Sequence, residues 1–309
     1  METIHPITLK EVQLSNQETY AYRESGTSEK TLLLLHGNFT TSIFFETFIN
    51  QVSNSFRTIA PDFRGYGHST YNNPITSLED LCEDLKVFLE ALDISKVNLL
   101  GWSAGGPVAQ LFACKYPSLV ESLILVGSVG PRGTMILDAN GRLMKKKEDF
   151  EKCWRIADTI GMIKAKNNKM LKWFMTNNGF RNKDLPKEEI LDQYVDELKL
   201  QRNIVDILCA LNNFNISSET NGICIGTKLI DRIQGPCLIV HGSHDENVRC
   251  VDSWEIKKYL LKKAKIEIIE GGRHFLFEPT NAEKISKLVK EFLGNDGFKK
   301  PARKERSLL

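Results

Sequence analysis

The segment Gly101-Trp102-Ser103-Ala104-Gly105-Gly106 constrains this chain most, because it joins a strand pattern at Val97–Leu100 to a helix pattern at Val108–Tyr116 that Pro117 stops. Gly-x-Ser-x-Gly in that setting is the elbow that lifts a serine out at the carboxyl end of a sheet. The reason is steric. The serine takes strained backbone angles, and only small residues two places to either side let strand and helix pass that closely. By composition alone such a match is weak, since glycine and serine are common residues. The strand before it and the helix after it make it specific.

The surrounding sequence keeps the same rhythm. Ile7–Leu14 and Thr19–Glu24 read as strands joined by a hairpin at Ser15-Asn16. Thr31–Leu35 is a continuous apolar run, as in a strand covered on both faces. Arg57–Pro61 and Ser122–Gly127 are further strands, and Leu78–Leu92 carries Leu81, Leu85, Phe88, Leu89 and Leu92 at helical spacing. The fold class is therefore α/β, a mostly parallel sheet flanked by helices. Between Pro131 and Lys228 the rhythm breaks into helical stretches at Lys147–Ile163, Lys166–Asn177 and Glu188–Asn213. It resumes with a strand at Cys237–His241, a helix at Asp252–Leu261, a strand at Lys265–Glu270 and a helix at Asn281–Leu293. The expected organisation is a core of residues 1–130 and 229–293, a helical insertion at 131–228, and a basic, disordered tail at 294–309.

Composition removes several function classes. Forty-one basic and 39 acidic side chains leave a net charge of +2 over 309 residues, with no whole-chain footprint for nucleic acid or anionic lipid. Apolar runs such as Leu32–Leu35 and Leu123–Val126 fall far short of the ~20 residues of a membrane span. The N-terminus shows neither an apolar signal core nor a small-residue cleavage site, so secretion is not expected. Seven cysteines without a CxxC pair read as buried, reduced thiols in a cytoplasmic protein. Cys224, Cys237 and Cys250 are evenly spaced, but no histidine stands at a ligand-like offset, and no metal is expected.

A neutral serine is a poor nucleophile and needs a base. Of six histidines, His5 is near the terminus, His36 and His241 end strands, His68 lies in a turn loop, and His244 adjoins Asp245. His274 lies in Gly271-Gly272-Arg273-His274-Phe275, just past the last strand, so it emerges at the same edge as Ser103. Asp245 follows the preceding strand. The order Ser…Asp…His is the one expected of an elbow serine on such a sheet.

These residues resemble the α/β-hydrolase superfamily. The likeness rests on His36-Gly37, Asp62-x-Arg64-Gly65-x-Gly67-x-Ser69, Gly101-x-Ser103-x-Gly105, His241-Gly242-x-x-Asp245 and Gly272-x-His274-x-x-x-Glu278-Pro279. It implies Ser103 as nucleophile, His274 as general base and then acid, Asp245 as the carboxylate that orients it, and a helical cap at 131–228. A finer resemblance is to bacterial intracellular short-chain polyhydroxyalkanoate depolymerases. It is carried by His36-Gly37-Asn38-Phe39-Thr40-Thr41-Ser42 and by the segment from Gln201-Arg202-Asn203 through Gly226-Thr227. The chain departs from that group in a longer, lysine-rich start to the insertion and in its basic tail. Dehalogenases and epoxide hydrolases of this fold use a carboxylate at the elbow, where this chain has Ser103, and are disfavoured.

The implied chemistry is cleavage of a carboxylic ester of a short acyl or hydroxyacyl unit through an acyl-serine, with no cofactor. The expected partner is a small-molecule ester or thioester, not nucleic acid. Backbone N–H groups of Ala104 and Asn38 are the expected oxyanion donors, with Phe39 as the alternative to Asn38. A thioesterase or carbon–carbon hydrolase, and a non-catalytic ligand receptor or scaffold, are the competing readings. Phe39 and Trp102 flank the site as pocket walls. Trp154, Met162, Met170, Trp173, Phe174 and Met175 are expected to form the core of the cap, or else to line an acyl pocket. Asp62 is read as half of a structural ion pair with Arg64. The terminal Ser307-Leu308-Leu309 differs by one residue from the peroxisomal Ser-Lys-Leu, which makes the peroxisome the alternative address.

Overall fold

The computed structural model describes residues 5–180 and 185–294. Its sheet contains β1 (Thr8–Gln13), β2 (Thr19–Ser25), β3 (Thr31–Leu35), β4 (Arg57–Pro61), β5 (Val97–Trp102), β6 (Val120–Val126), β7 (Cys237–Gly242) and β8 (Ala264–Ile269). The order is β1-β2-β4-β3-β5-β6-β7-β8. β2 runs against both its neighbours, and every pairing from β4 to β8 is parallel. The mostly parallel α/β architecture is the one the sequence predicts.

Layering follows from side-chain alternation along the strands. In β3, Leu33 and Leu35 enter one apolar layer and Leu32 and Leu34 the other, all four fully buried. That is why Leu32–Leu35 carries no polar residue. Each such leucine stabilises the fold by about 1.5–3 kcal/mol relative to exposure. One layer packs beneath α2 (Leu78–Ala91), α3 (Gly105–Lys115) and α9 (Cys250–Leu260). The other packs beneath α1 (Glu46–Val52) and α10 (Pro279–Gly294). Ser77 starts α2 with a reciprocal cap, its side chain accepting from Glu79 N–H while Asp80 accepts from the Ser77 N–H.

Between β6 and β7 the chain forms α4 (Lys147–Glu151), α5 (Trp154–Lys164), α6 (Asn168–Asn178), α7 (Glu188–Leu198) and α8 (Ile204–Asn212). Two stretches read as single helices are broken. The first divides at Lys152-Cys153, where Cys153 N–H turns back to Phe150 O. The second divides at 199–203, where the chain turns from its own helix to partners in the core. Arg202 N–H donates to Gly65 O at 2.8 Å, and the Asn203 amide donates to Arg64 O at 2.8 Å. Tertiary hydrogen bonds outweigh helix propensity there.

Three further expectations need correction. Trp154, Met170 and Trp173 are neither cap core nor pocket lining, since their side chains are exposed, Trp173 by 63%. Helical spacing gives a face but not what covers it. Asp62 does not pair with Arg64: it accepts from the Ser42 and His68 N–H groups, at 2.8 and 3.1 Å. Arg64 instead grips the fully buried Asp84 of α2 with Nε, at 2.8 Å, and Nη2. The cysteines are all free, but only Cys82, Cys114 and Cys237 are buried. Of the tail read at 294–309, residues 295–309 lie outside the described residues, and with them Ser307-Leu308-Leu309. Among the described residues, no helix is long and apolar enough to cross a membrane.

Asp84 also accepts from Tyr20 Oη at 2.8 Å and Asn16 Nδ2 at 2.6 Å, so one carboxylate ties β2, the 62–73 loop and α2 together. Asp84→Ala would leave the buried Arg64 guanidinium with only the Asn73 carbonyl and a more distant carboxylate, Glu18 at 3.8 Å. The expected loss is roughly 3–5 kcal/mol, read from urea unfolding midpoints; a loss below 1 kcal/mol would show that the pair does not hold these elements.

Candidate active site

β5 delivers Ser103 to the carboxyl edge of the sheet at φ +54°, in the left-handed region that side chains rarely enter. Backbone bonds hold it there: its N–H donates to Val126 O at 3.1 Å, and its carbonyl accepts from Gly106 N–H at 3.0 Å. A Cβ on Gly101 would stand 2.6 Å from Gly105 O, one on Gly105 would stand 2.6 Å from His36 O, and one on Gly37 would stand 2.8 Å from Ser103 Cβ. The glycines are spaced as the elbow reading predicts, and for the predicted reason.

Loops after β7 and β8 bring in the other two side chains. His274 Nε2 lies 2.8 Å from Ser103 Oγ, and its Nδ1 lies 2.8 Å from Asp245 Oδ2. All three residues predicted from sequence therefore meet in one hydrogen-bonded row. Asp245 Oδ1 accepts from the Asn247 and Val248 N–H groups, both at 2.9 Å. Burial pushes the Asp245 pKa up, but hydrogen bonds from His241, His274 and Val248 N–H prevail and hold it well below the usual carboxylate range. The carboxylate is thus ionised and faces the imidazole.

Two contributions escaped the sequence reading. His241, read as a strand end and part of a motif but given no role, places Nε2 3.4 Å from Asp245 Oδ2 and 3.0 Å from Val248 O, with Nδ1 2.7 Å from Ser253 Oγ of α9. The signal was its four-residue spacing to Asp245 across a tight turn. Trp102 is not a pocket wall. It is 1% exposed, and its Nε1–H donates to His274 O at 3.1 Å, so it anchors the histidine loop from below.

Ser103 and His274 open onto a cavity of about 270 Å³. Its apolar wall comes from Phe39, from Phe174 and Met175 of α6, from Leu198 of α7, and from Leu208 and Leu211 of α8. Asn38 and Ala104 also line it, and among the described residues their backbone N–H groups find no acceptor. The Phe39 N–H is already committed to Gln201 Oε1 at 3.1 Å. Of the two donors considered beside Ala104, only Asn38 keeps a free N–H.

Beneath this loop His36 is fully buried, its Nδ1–H donating to Gly37 O at 2.8 Å and its Nε2 accepting from Phe63 N–H at 3.0 Å. Burial lowers its pKa from 6.5 to about 4, against the opposing pull of Gly37 O.

The family defined by the alpha/beta hydrolase fold matches residues 30–280, and the chain belongs to it. Serine hydrolase BPHL from Homo sapiens is 26% identical over 277 residues, covering 88% of this chain and 82% of that protein. The yeast uncharacterized hydrolase YNR064C is 34% identical over 115 residues, only 37% of this chain and 40% of its own length. An esterase from Exiguobacterium antarcticum superposes with a TM-score of 0.71 at 20% identity, covering 93% of this chain and all of that one, a likeness of fold.

The buried His36 gives a pH test. Its native pKa lies below the unfolded value, so between pH 6.5 and about 4 the unfolded chain binds a proton that the native state refuses. Stability is therefore full above that window and falls as pH drops through it. Urea midpoints at pH 7 and pH 5 should differ more for the wild type than for His36→Asn; equal differences would remove His36 as the cause.

Proposed function

We propose that this protein is a serine hydrolase that cleaves carboxylic esters of short acyl or hydroxyacyl units through an acyl-serine. The observation that carries the reading is the Asp245–His274–Ser103 row, two contacts of 2.8 Å, opening onto a small apolar cavity beside two uncommitted N–H groups.

In this reading the segment 131–228 acts as a cap, since α6, α7 and α8 supply half of the apolar wall. An acyl chain fills that wall, and 270 Å³ suits a short one. Ser103 Oγ attacks the carbonyl carbon while His274 Nε2 takes its proton. Asp245 holds Nδ1–H and stabilises the imidazolium without taking the proton. Negative charge develops on the carbonyl oxygen, within reach of the Ala104 and Asn38 N–H groups. Ala104 N–H stands at the start of α3, where the helix dipole favours an anion. The alcohol leaves with the proton from His274. Water then gives up a proton to His274, attacks the acyl-serine, and frees the acid. The likeness to BPHL, a serine hydrolase, supports the reaction class. The finer likeness to polyhydroxyalkanoate depolymerases adds 3-hydroxybutyrate esters to the candidates.

The test is a panel of p-nitrophenyl esters from acetate to decanoate, a 3-hydroxybutyrate ester and acyl-CoA thioesters. Esters of about two to six carbons should turn over best, and Ser103→Ala should lower kcat by at least 10³-fold. His274→Ala should abolish the acylation burst. Preference for thioesters would move the assignment to a thioesterase, and binding without Ser103-dependent turnover would make the protein a receptor.

A further inference from the structure

Gln201 lies in the break between α7 and α8, 5% exposed, and its side-chain amide is spent entirely on neighbouring polar groups. Oε1 accepts from the Phe39 N–H at 3.1 Å. Nε2 donates to Asn38 Oδ1 at 2.7 Å and to Asn203 Oδ1 at 3.0 Å. Asn38 Oδ1 also accepts from the buried Tyr66 hydroxyl at 2.9 Å. One side chain of the insertion therefore grips both residues of the loop that presents the Asn38 N–H to the cavity.

The grip matters because that loop is not regular structure. Phe39 stands at φ +59°, a conformation its own side chain disfavours, so something outside the loop must hold it. Gln201 does so from the amide face, and the Asn38 side chain is pinned between Gln201 and Tyr66. Committing the Phe39 N–H also removes a competing donor, leaving the Asn38 N–H as the uncommitted donor of that loop beside the cavity. The same connection carries Leu198 on one side and Leu208 on the other, both in the cavity wall. Arg202 and Asn203 fasten it to the carbonyls of Gly65 and Arg64.

We infer that Gln201 is a positioning residue that aligns the Asn38 N–H for the developing oxyanion and makes that alignment depend on the insertion being seated on the core. This deepens, and rests on, the hydrolase reading above. It also means that an acyl chain packing against Leu198 and Leu208 bears on the element that sets the donor, so a well-fitting substrate stabilises the reactive geometry. Binding energy from the acyl end is then realised at the carbonyl.

Gln201→Met removes both hydrogen-bonding functions at similar size, and Gln201→Glu keeps only an acceptor for the Phe39 N–H. Amide hydrogen exchange over residues 37–41 and steady-state kinetics on p-nitrophenyl butyrate are measured for both and for the wild type. In Gln201→Met the Phe39 amide should exchange faster while α3 is unchanged. Its kcat should fall roughly 10–100-fold, less than outright loss of an oxyanion donor, with KM within about twofold. The pH profile of kcat should not move, because the His274–Asp245 contact is untouched. Gln201→Glu should keep most of the Phe39 protection and an intermediate kcat. Unchanged exchange and kcat in Gln201→Met would overturn the inference, and so would a rise in KM at constant kcat. Absence of Ser103-dependent turnover in the wild type would instead sink the hydrolase reading, and the exchange data would still decide whether Gln201 holds the loop.

Discussion

Ser103 occupies a left-handed backbone conformation at the end of β5, and most of the site's geometry depends on how that strain is contained. The turn tolerates no bulk: the carbonyls of His36 and Gly105 lie where side chains at 105 and 101 would begin. Strand β5 therefore runs straight into α3, with β3 close on one side and β6 on the other. Because β5 is central and its neighbours are parallel, the loops after β3, β6, β7 and β8 all leave the sheet at that same edge. A hydroxyl raised there meets an imidazole and a carboxylate that are far away in sequence.

Containing the strain is only part of the design. A histidine loop in a dry environment needs its polar groups paired, because an unsatisfied buried group costs about 1–3 kcal/mol. Trp102 meets the His274 carbonyl, and His241 with two backbone amides meets Asp245. These contacts fix the rotamers of His274 and Asp245 beside Ser103, as the proposed hydrolysis requires. Preorganisation of this kind lowers a barrier without reorganisation at the moment of reaction. The same economy governs the loop at Asn38, where a glutamine from the insertion does what a longer secondary element would otherwise do.

How far the sequence could be read depended on whether the signal was local. β3 was legible because a strand buried on both faces leaves no polar position, and the elbow because glycine spacing reports a close backbone approach. Ser103, Asp245 and His274 were legible because each directly follows a strand. The break at 199–203 was not, since nothing within Glu188–Asn213 announces that Arg202 and Asn203 will find carbonyl partners some 140 residues away. Trp102 was misplaced for the same reason: adjacency to Ser103 in sequence says nothing about which side of the sheet an indole takes. Asp62 and Arg64 were wrongly paired because two opposite charges in one loop look like partners until a deeper acceptor, Asp84, is in place.

By itself the sequence determined the alternation of strand and helix, the strained turn at 103 and the identity of the three side chains that meet there. Those follow from apolar periodicity and from backbone sterics, which act over a few residues. Only the tertiary structure decided which N–H groups remain uncommitted, how large the cavity is, and that Gln201 reaches across to Asn38 and Phe39. Hydrogen-bond partners and cavity walls come from elements brought together by folding, and no local rule of spacing encodes who will be adjacent to whom.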